Sequence, residues 1–196
     1  LVELKQGRVR TRPIKGTRKR GGSLEEDRKL REEMISSEKE ISEHLMLVDL
    51  ERHDLSKVCK PGTVHWSGWR IEALSNVQHL VSGVQGELAS GFTTSEVTSL
   101  MFPGGSVTGC PKTVTLAAID ELEESPRGAW TGSIGHIHRG HGIADWNILI
   151  RTLEAHSGPE KWHATVQAGG GIVIGSSPAE EVEEARWKAA AVTESA

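Results

Sequence analysis

The sequence predicts a mixed α/β chain, and two observations predict it. Short apolar or alternating stretches at 1–12, 64–71, 76–85, 129–138, 144–153 and 161–167 have the period of strands. Between them, helices are announced by capping signals: Ser23 with Glu26, Ser37 with Glu40, and Ser177 with Pro178 and Glu180. The 196 residues suffice for one domain with a real core and hardly for two. Hydrophobic residues make up 36% and charged residues 26%, the balance of an ordinary soluble protein. No apolar run approaches the roughly 20 residues of a membrane helix, and no secretory signal opens the chain. Neither a membrane nor a nucleic acid is an expected partner. Cys59 and Cys110 lack metal-type spacing and fit a reduced, cytoplasmic setting. The net charge is −4 although the first 20 residues are basic. That basic arm alternates like a strand and carries no aromatics, unlike a nucleic-acid reader.

Residues 1–12 read as one strand, with Val2, Leu4 and Val9 among polar neighbours. Residues 13–22 read as a loop around Pro13-Ile14-Lys15-Gly16-Thr17. Proline fixes its own backbone angle and glycine permits a sharp change of direction, so one lysine is held on a short, stiff connection. Such a lysine is a surface charge in a turn, or a nucleophile where burial or nearby cations lower its pKa. A polar helix runs from the Ser23 cap to about Ile35. A second helix, about 38–50, places Ile41, Leu45 and Val48 on one face. On it Glu40 and Glu43 stand three residues apart and project together, as a solvated pair or as ligands for a hard cation. His44, Asp49, Arg52 and Asp54 read as its charged tail. Pro61-Gly62-Thr63 makes a turn, followed by strands Val64–Ile71 and Asn76–Gln85. His79 shares a strand face with Val77 and Val81, either as a satisfied core residue or as a catalytic one. Thr94 or Ser95 caps a short helix to Met101.

Phe102–Lys112 is rich in glycine and hydroxyls and runs into a helix at Thr113–Leu122. Backbone N–H groups at such an entrance suit a carboxylate or phosphate, although the spacing is not that of a P-loop. Residues 129–138 and 144–153 pair around the turn Arg139–Gly142. In the second strand Trp146, Ile148 and Ile150 point one way and Leu149, Arg151 and Leu153 the other, which predicts burial on both faces. A buried arginine needs an anionic partner, either a protein carboxylate or a substrate carboxylate. Lys161–Gln167 is a strand ending in Ala168-Gly169-Gly170-Gly171, where a ligand can approach the backbone closely. Ile172–Ile174 reads as a short strand. The final helix starts at Ser177 and carries Glu181, Glu184 and Lys188 at i, i+3 and i+7. Two converging Glu-x-x-Glu helices would present four carboxylates, a donor set suited to Mg2+.

The phrases TRPIKGTRKRGG (11–22), EKEISEHLMLVDLERHDL (38–55), SNVQHLVSGVQG (75–86), FPGGSVTGCPK (102–112), GAWTGSIGH (128–136), ILIRTL (148–153), VQAGGGIV (166–173) and EEVEEARWKA (180–189) resemble, in order, those of the chorismate-binding enzymes, the anthranilate synthase component I group. The resemblance implies an α/β (α+β) fold of large, mostly antiparallel sheets flanked by helices. Residues 1–196 would form the C-terminal part of the chorismate-binding catalytic domain. The family's Ser-Pro-Glu general acid and further strands would lie upstream of Leu1, so the sequence reads as an N-terminally truncated fragment.

The same resemblance implies the roles of individual residues. Glu43 and Glu184 look like Mg2+ ligands, with Glu40 and Glu181 bonding to metal waters. Arg151, the backbone of Gly169, Gly170 and Gly171, and Lys188 look like carboxylate contacts. Ser106, Thr108 and Gly109 would line the ring of chorismate, and His79 matches the active-site histidine. Trp130 stands where many members carry tyrosine, and His53 where the pattern reads asparagine. Lys15 separates the subfamilies. Anthranilate, isochorismate and salicylate synthases usually carry alanine there, whereas aminodeoxychorismate synthase component I usually carries lysine. The resemblance therefore implies amination of chorismate at C4 through a lysine adduct, for p-aminobenzoate and folate synthesis. Ammonia would come from a glutamine amidotransferase subunit or domain. Anthranilate synthase component I and a non-catalytic chorismate-binding chain are the alternatives.

Overall fold

The computed structural model describes residues 1–138 and 140–194. Arg139, the first residue of the expected turn Arg139–Gly142, lies outside the described residues. The chain divides into two compact units. Unit 1 comprises Leu1–Ser106 and Gly135–Trp146, and unit 2 comprises Val107–Ile134 and Asn147–Ala196.

Unit 1 is built on an antiparallel sheet of β1 (Val2–Lys5), β2 (Arg8–Thr11), β3 (Ile14–Lys19), β4 (His65–Ala73), β5 (Val77–Glu87), β6 (Gly135–His138) and β7 (Ile143–Trp146). Its order is β3-β5-β2-β1-β7-β6, with β4 also paired to β5. The expected mixed fold with antiparallel sheet and flanking helices is the one observed. The single strand expected at 1–12 is a hairpin, because Gln6 (φ 51°) and Gly7 (φ 74°) both adopt the left-handed conformation of a tight two-residue turn. Glutamine is not a usual residue for that turn, so the sequence carried no stop signal.

The loop expected at 13–22 is mostly strand. Along β5 the register runs from Arg8↔Glu87 to Ile14↔Val81, then shifts so that Thr17 faces His79. The extra residue sits in a β-bulge at Lys15 and Gly16, with Gly16 at φ 92°. Pro13 interrupts the ladder on the way, but its carbonyl accepts from the Ser82 amide at 3.0 Å.

Two helices cover this region. α1 (Leu24–Ser36) is capped by Ser23, whose hydroxyl accepts from the Glu26 amide. The Glu26 carboxylate returns its bond to Gly22 rather than to the cap residue. α2 (Glu38–Ser56) is capped by Ser37 and runs beyond the end expected near residue 50. Its buried stripe is His44, Val48, Glu51 and Leu55, while Leu45 is exposed. Apolar periodicity misplaced this face, because two polar side chains, His44 and Glu51, are buried in it. His44 Nε2 lies 2.6 Å from Ser82 Oγ on β5. α3 (Thr94–Met101) is capped by Thr93 rather than by Thr94 or Ser95: Thr93 and Glu96 form a complete capping box. Val2, Leu4, Val9, Val48, Leu55, Val58, Val84, Val97 and Met101 make one core. Bare Gly105 lets Leu50 of α2 approach, since a Cβ there would lie 2.6 Å from Leu50 Cδ2.

Unit 2 contains α5 (Lys112–Leu122), the hairpin β8 (Leu153–Ser157) with β9 (Trp162–Val166), and α6 (Pro178–Thr193). The short helix α4 (Gly105–Thr108) occupies the middle of the stretch expected to be an open anion loop. The expected pairing of 129–138 with 144–153 holds one register as far as Leu149. It is regular strand at β6–β7 and irregular at 131–134, where Asn147 N donates to Ile134 O and Leu149 N to Gly132 O. The expected two-faced burial beyond Trp146 does not occur. Arg151 is solvent-exposed at φ 50°, a left-handed residue that breaks the strand, and Ile150 is exposed beside it. The strand expected at Ile172–Ile174 is absent. A turn replaces it, closed by Ser176 N on Val173 O and by Val173 N on Ser176 Oγ. Ser177 stands at the cap of α6 without a side-chain cap bond, so the expected Ser177–Glu180 box does not form. Among the described residues, no helix is long and apolar enough to cross a membrane.

Two tests follow from this packing. Burial pushes the Cys59 thiol up to about 11, whereas Cys110 is exposed. A disulfide reagent at pH 8 is expected to titrate one thiol in the native protein and the second only after unfolding; two fast native thiols would contradict the placement of Cys59. Asp27 is buried under Arg20 and the Gly21 amide, which hold its carboxyl below 3.8. A depressed carboxyl stabilises the fold above its unfolded pKa, and that contribution is lost as pH falls through the folded value. Asp27→Asn is therefore expected to lower the denaturation midpoint at pH 7, with a difference from wild type that shrinks in acid below pH 3.8.

Candidate active site

The residues singled out by the sequence fall into two clusters, one in each unit. In unit 1 the bulge on β3 turns Lys15 toward α2. Its Nζ lies 2.7 Å from Glu43 Oε2, and the Glu43 side chain is only 16% exposed. Three residues on, Arg18 Nη2 lies 2.7 Å from Glu40 Oε1. Gly16 stands between these pairs: a Cβ there would lie 3.0 Å from Glu40 Oε2 and 3.2 Å from Met34 Sδ. On β5, His79 Nδ1 lies 2.9 Å from Thr17 Oγ1. Lys15, Glu40, Glu43 and His79 thus belong to the same β3–β5–α2 layer, with Arg18 and Thr17 as neighbours that sequence reasoning passed over. Their signal was their place in the strand: Lys15 and Thr17 are two residues apart, and Arg18 comes three after Lys15. His44, read as part of a charged tail, is buried behind Glu43, and that burial pushes its imidazolium below the usual histidine range.

Glu40 gives the clearest test of whether this layer suits a cation. Its Oε2 is buried and, among the described residues, has no hydrogen-bond partner. A buried carboxylate oxygen without a donor is costly, and a hard cation or one of its waters satisfies it. Among the described residues, no three histidines, cysteines or carboxylates gather as a ligand cluster. Mg2+ does not need three, since it keeps several waters and takes one or two carboxylates. The donor set therefore fits.

Ser106 lies in unit 1 on α4 and is exposed. Thr108 and Gly109 open unit 2, with Gly109 at φ 101°. The second cluster is built on α6 and the glycine run. Lys188 Nζ lies 2.8 Å from Glu184 Oε1 and donates to Gly169 O at 3.1 Å. Glu181 Oε1 accepts from Ser176 Oγ at 2.8 Å. A Cβ on Gly170 would lie 2.7 Å from Glu181 Oε2, so only a bare residue leaves that carboxylate its place. Trp130 closes the other side, with its ring edge 3.0 Å from where a Gly169 Cβ would stand. Arg127 lies over the Trp130 ring at 4.9 Å from the centroid. Arg151 was expected to be buried here and is exposed instead, for the backbone reason given above. Sequence reasoning missed Ser176 and Arg127, whose contacts are made across loops.

Each cluster is a Glu-x-x-Glu pair whose second carboxylate meets a lysine, beside backbone opened by glycine. Such a surface can bind an anionic, oxygen-rich small molecule through a divalent cation. The chorismate binding enzyme family matches residues 1–194. The chain is 46% identical over 193 residues to aminodeoxychorismate synthase component 1 of Bacillus subtilis (strain 168), covering 98% of this chain and 40% of that protein. It is 47% identical over 193 residues to anthranilate synthase component 1 of Aquifex aeolicus (strain VF5), covering 98% of this chain and 38% of that protein. In structure it is similar to anthranilate synthase component I from Streptococcus pneumoniae TIGR4, with a TM-score of 0.81 and 34% identity over 98% of this chain and 41% of that one. The chain thus spans about 40% of the length of the curated relatives it matches. With a family match over nearly its whole length and a Glu-x-x-Glu pair on α2 and another on α6, this chain belongs to the chorismate binding enzyme family.

Proposed function

We propose that the chain carries the C4 amination of chorismate, the activity named for aminodeoxychorismate synthase component 1. The observation that carries this reading is Lys15. It stands on a bulge, 2.7 Å from a half-buried glutamate, where a nucleophile is held in place by its neighbours. In this reading, as the family resemblance implies, Glu43 and Glu184 would be the residues that hold Mg2+, with Glu40 and Glu181 as their outer partners, and the cation would supply charge to hold the ring carboxylate of chorismate. The glycine run with Lys188 takes the enolpyruvyl carboxylate together with Arg151. Ser106, Thr108, Gly109 and Trp130 border the ring.

The chemistry balances as chorismate plus ammonia giving 4-amino-4-deoxychorismate plus water. Lys15 Nζ, once it has given up a proton, forms a bond to C2, both ring double bonds move one position along the ring, and the C4 hydroxyl leaves with a proton as water. Ammonia then bonds to C4 and loses a proton, both double bonds move back, and the lysine amine departs. A covalent adduct divides one hard displacement into two easier ones. His79, fixed at Nδ1 by Thr17, keeps Nε2 for proton transfer near the ring. Ammonia comes from a glutamine amidotransferase. The product leads to p-aminobenzoate and folate, and the setting is cytoplasmic. The equal identity to anthranilate synthase supports a second reading, amination at C2 without a lysine adduct.

The full protein with chorismate, Mg2+ and ammonium separates these readings. Aminodeoxychorismate is the expected product, with loss of about 10²-fold or more in rate for Lys15→Ala. Anthranilate as the product, or full-rate amination by Lys15→Ala, would overturn the lysine role. Metal binding gives a second test. Glu40→Gln is expected to weaken Mg2+ binding about 10-fold, as losing an outer partner does. Lys15→Met should strengthen it, because a cation no longer competes for Glu43; calorimetry on both variants checks the pair.

A further inference from the structure

Arg127 has no assigned role, yet its side chain joins three segments of unit 2 and is only 19% exposed. Its Nε and Nη2 fork onto Glu123 at 2.8 and 2.6 Å, at the end of α5. Nη1 donates to Val107 O at 2.9 Å and to Thr131 Oγ1 at 3.2 Å. The guanidinium plane lies over Trp130, whose ring edge borders Gly169. We infer that Arg127 is a positioning residue: it holds the segment through Val107–Gly109 and the Trp130 ring in one arrangement beside the glycine run, and so sets the fit of the carboxylate-bearing ring substrate. This inference rests on the chorismate reading above.

Three physical points carry it. First, four of the five guanidinium N–H groups are spent on protein acceptors, so Arg127 acts through its neighbours rather than on substrate. Second, only a planar fork can grip a carboxylate, reach a carbonyl and stack on an indole at once, and a lysine ammonium cannot. Third, Glu123 is held below its usual range by this pair, so the anchor stays charged at neutral pH. An i,i+4 ion pair that merely finished α5 would need neither the Val107 bond nor the stack.

The test uses the full protein carrying Arg127→Lys, which keeps the charge beside Glu123 and loses the fork. Chorismate affinity is read by calorimetry with Mg2+ present, and amide hydrogen exchange is read at 107–109. The expected result is a Kd raised about 10-fold, as for a misplaced binding group, with faster exchange at 107–109. An unchanged Kd and unchanged exchange, with only thermal stability reduced, would make Arg127 a staple for α5 and overturn the inference. A wild-type protein that binds no chorismate would overturn the underlying reading as well. Should Arg127→Lys fail to fold, Glu123→Gln removes the anchor instead; faster exchange at 107–109 supports the inference and unchanged exchange overturns it.

Discussion

The β-bulge at Lys15 and Gly16 is the constraint on which unit 1 depends. β2 and β3 are one stretch of chain laid along β5, and without an extra residue their alternation would continue unbroken. A one-residue slip moves every later side chain to the other face. The bulge makes that slip once, between Ile14 and Thr17, so that Lys15 meets Glu43 while Thr17 still faces His79. Gly16 permits it in two ways. It accepts φ 92°, and it has no side chain where Glu40, Met34 and Leu80 close in. A larger residue would meet both a strained backbone and a carboxylate.

The two units use the same electrostatic device. The second glutamate of each Glu-x-x-Glu pair is met by a lysine, Glu43 by Lys15 and Glu184 by Lys188. The first glutamate is steered by a neighbour, Glu40 by Arg18 and Glu181 by Ser176. Each pair leaves acceptor capacity over. In unit 1 the buried Glu40 Oε2 has no donor among the described residues, and in unit 2 Glu181 Oε2 lies over the bare Gly170.

Much of this was legible because it is local. Caps depend on residues three apart, so the starts of α1, α2 and α3 were found to within one residue. The glycine run and the two glutamate pairs were visible as spacing. What escaped reading was set by partners distant in sequence. The buried stripe of α2 passes through His44 because Ser82, 38 residues away, receives it. Arg127 drew no reading at all, because Val107 and Trp130 meet it only across loops. Arg151 looked buried because its neighbours are apolar, but a left-handed backbone angle ended the strand there.

By itself the sequence determined the helix starts, the pairing of the stretches around 129–138 and 144–153, the glutamate spacing and the family. These follow from hydrogen bonds and periodicities that operate within a few residues, or from ordered motifs. Only the tertiary structure decided which oxygen of each glutamate meets a cation, where the strand slips to aim Lys15, and which arginine is tied down. Those outcomes depend on side chains brought together from distant strands and helices, where close packing and the cost of an unpaired buried charge select one arrangement.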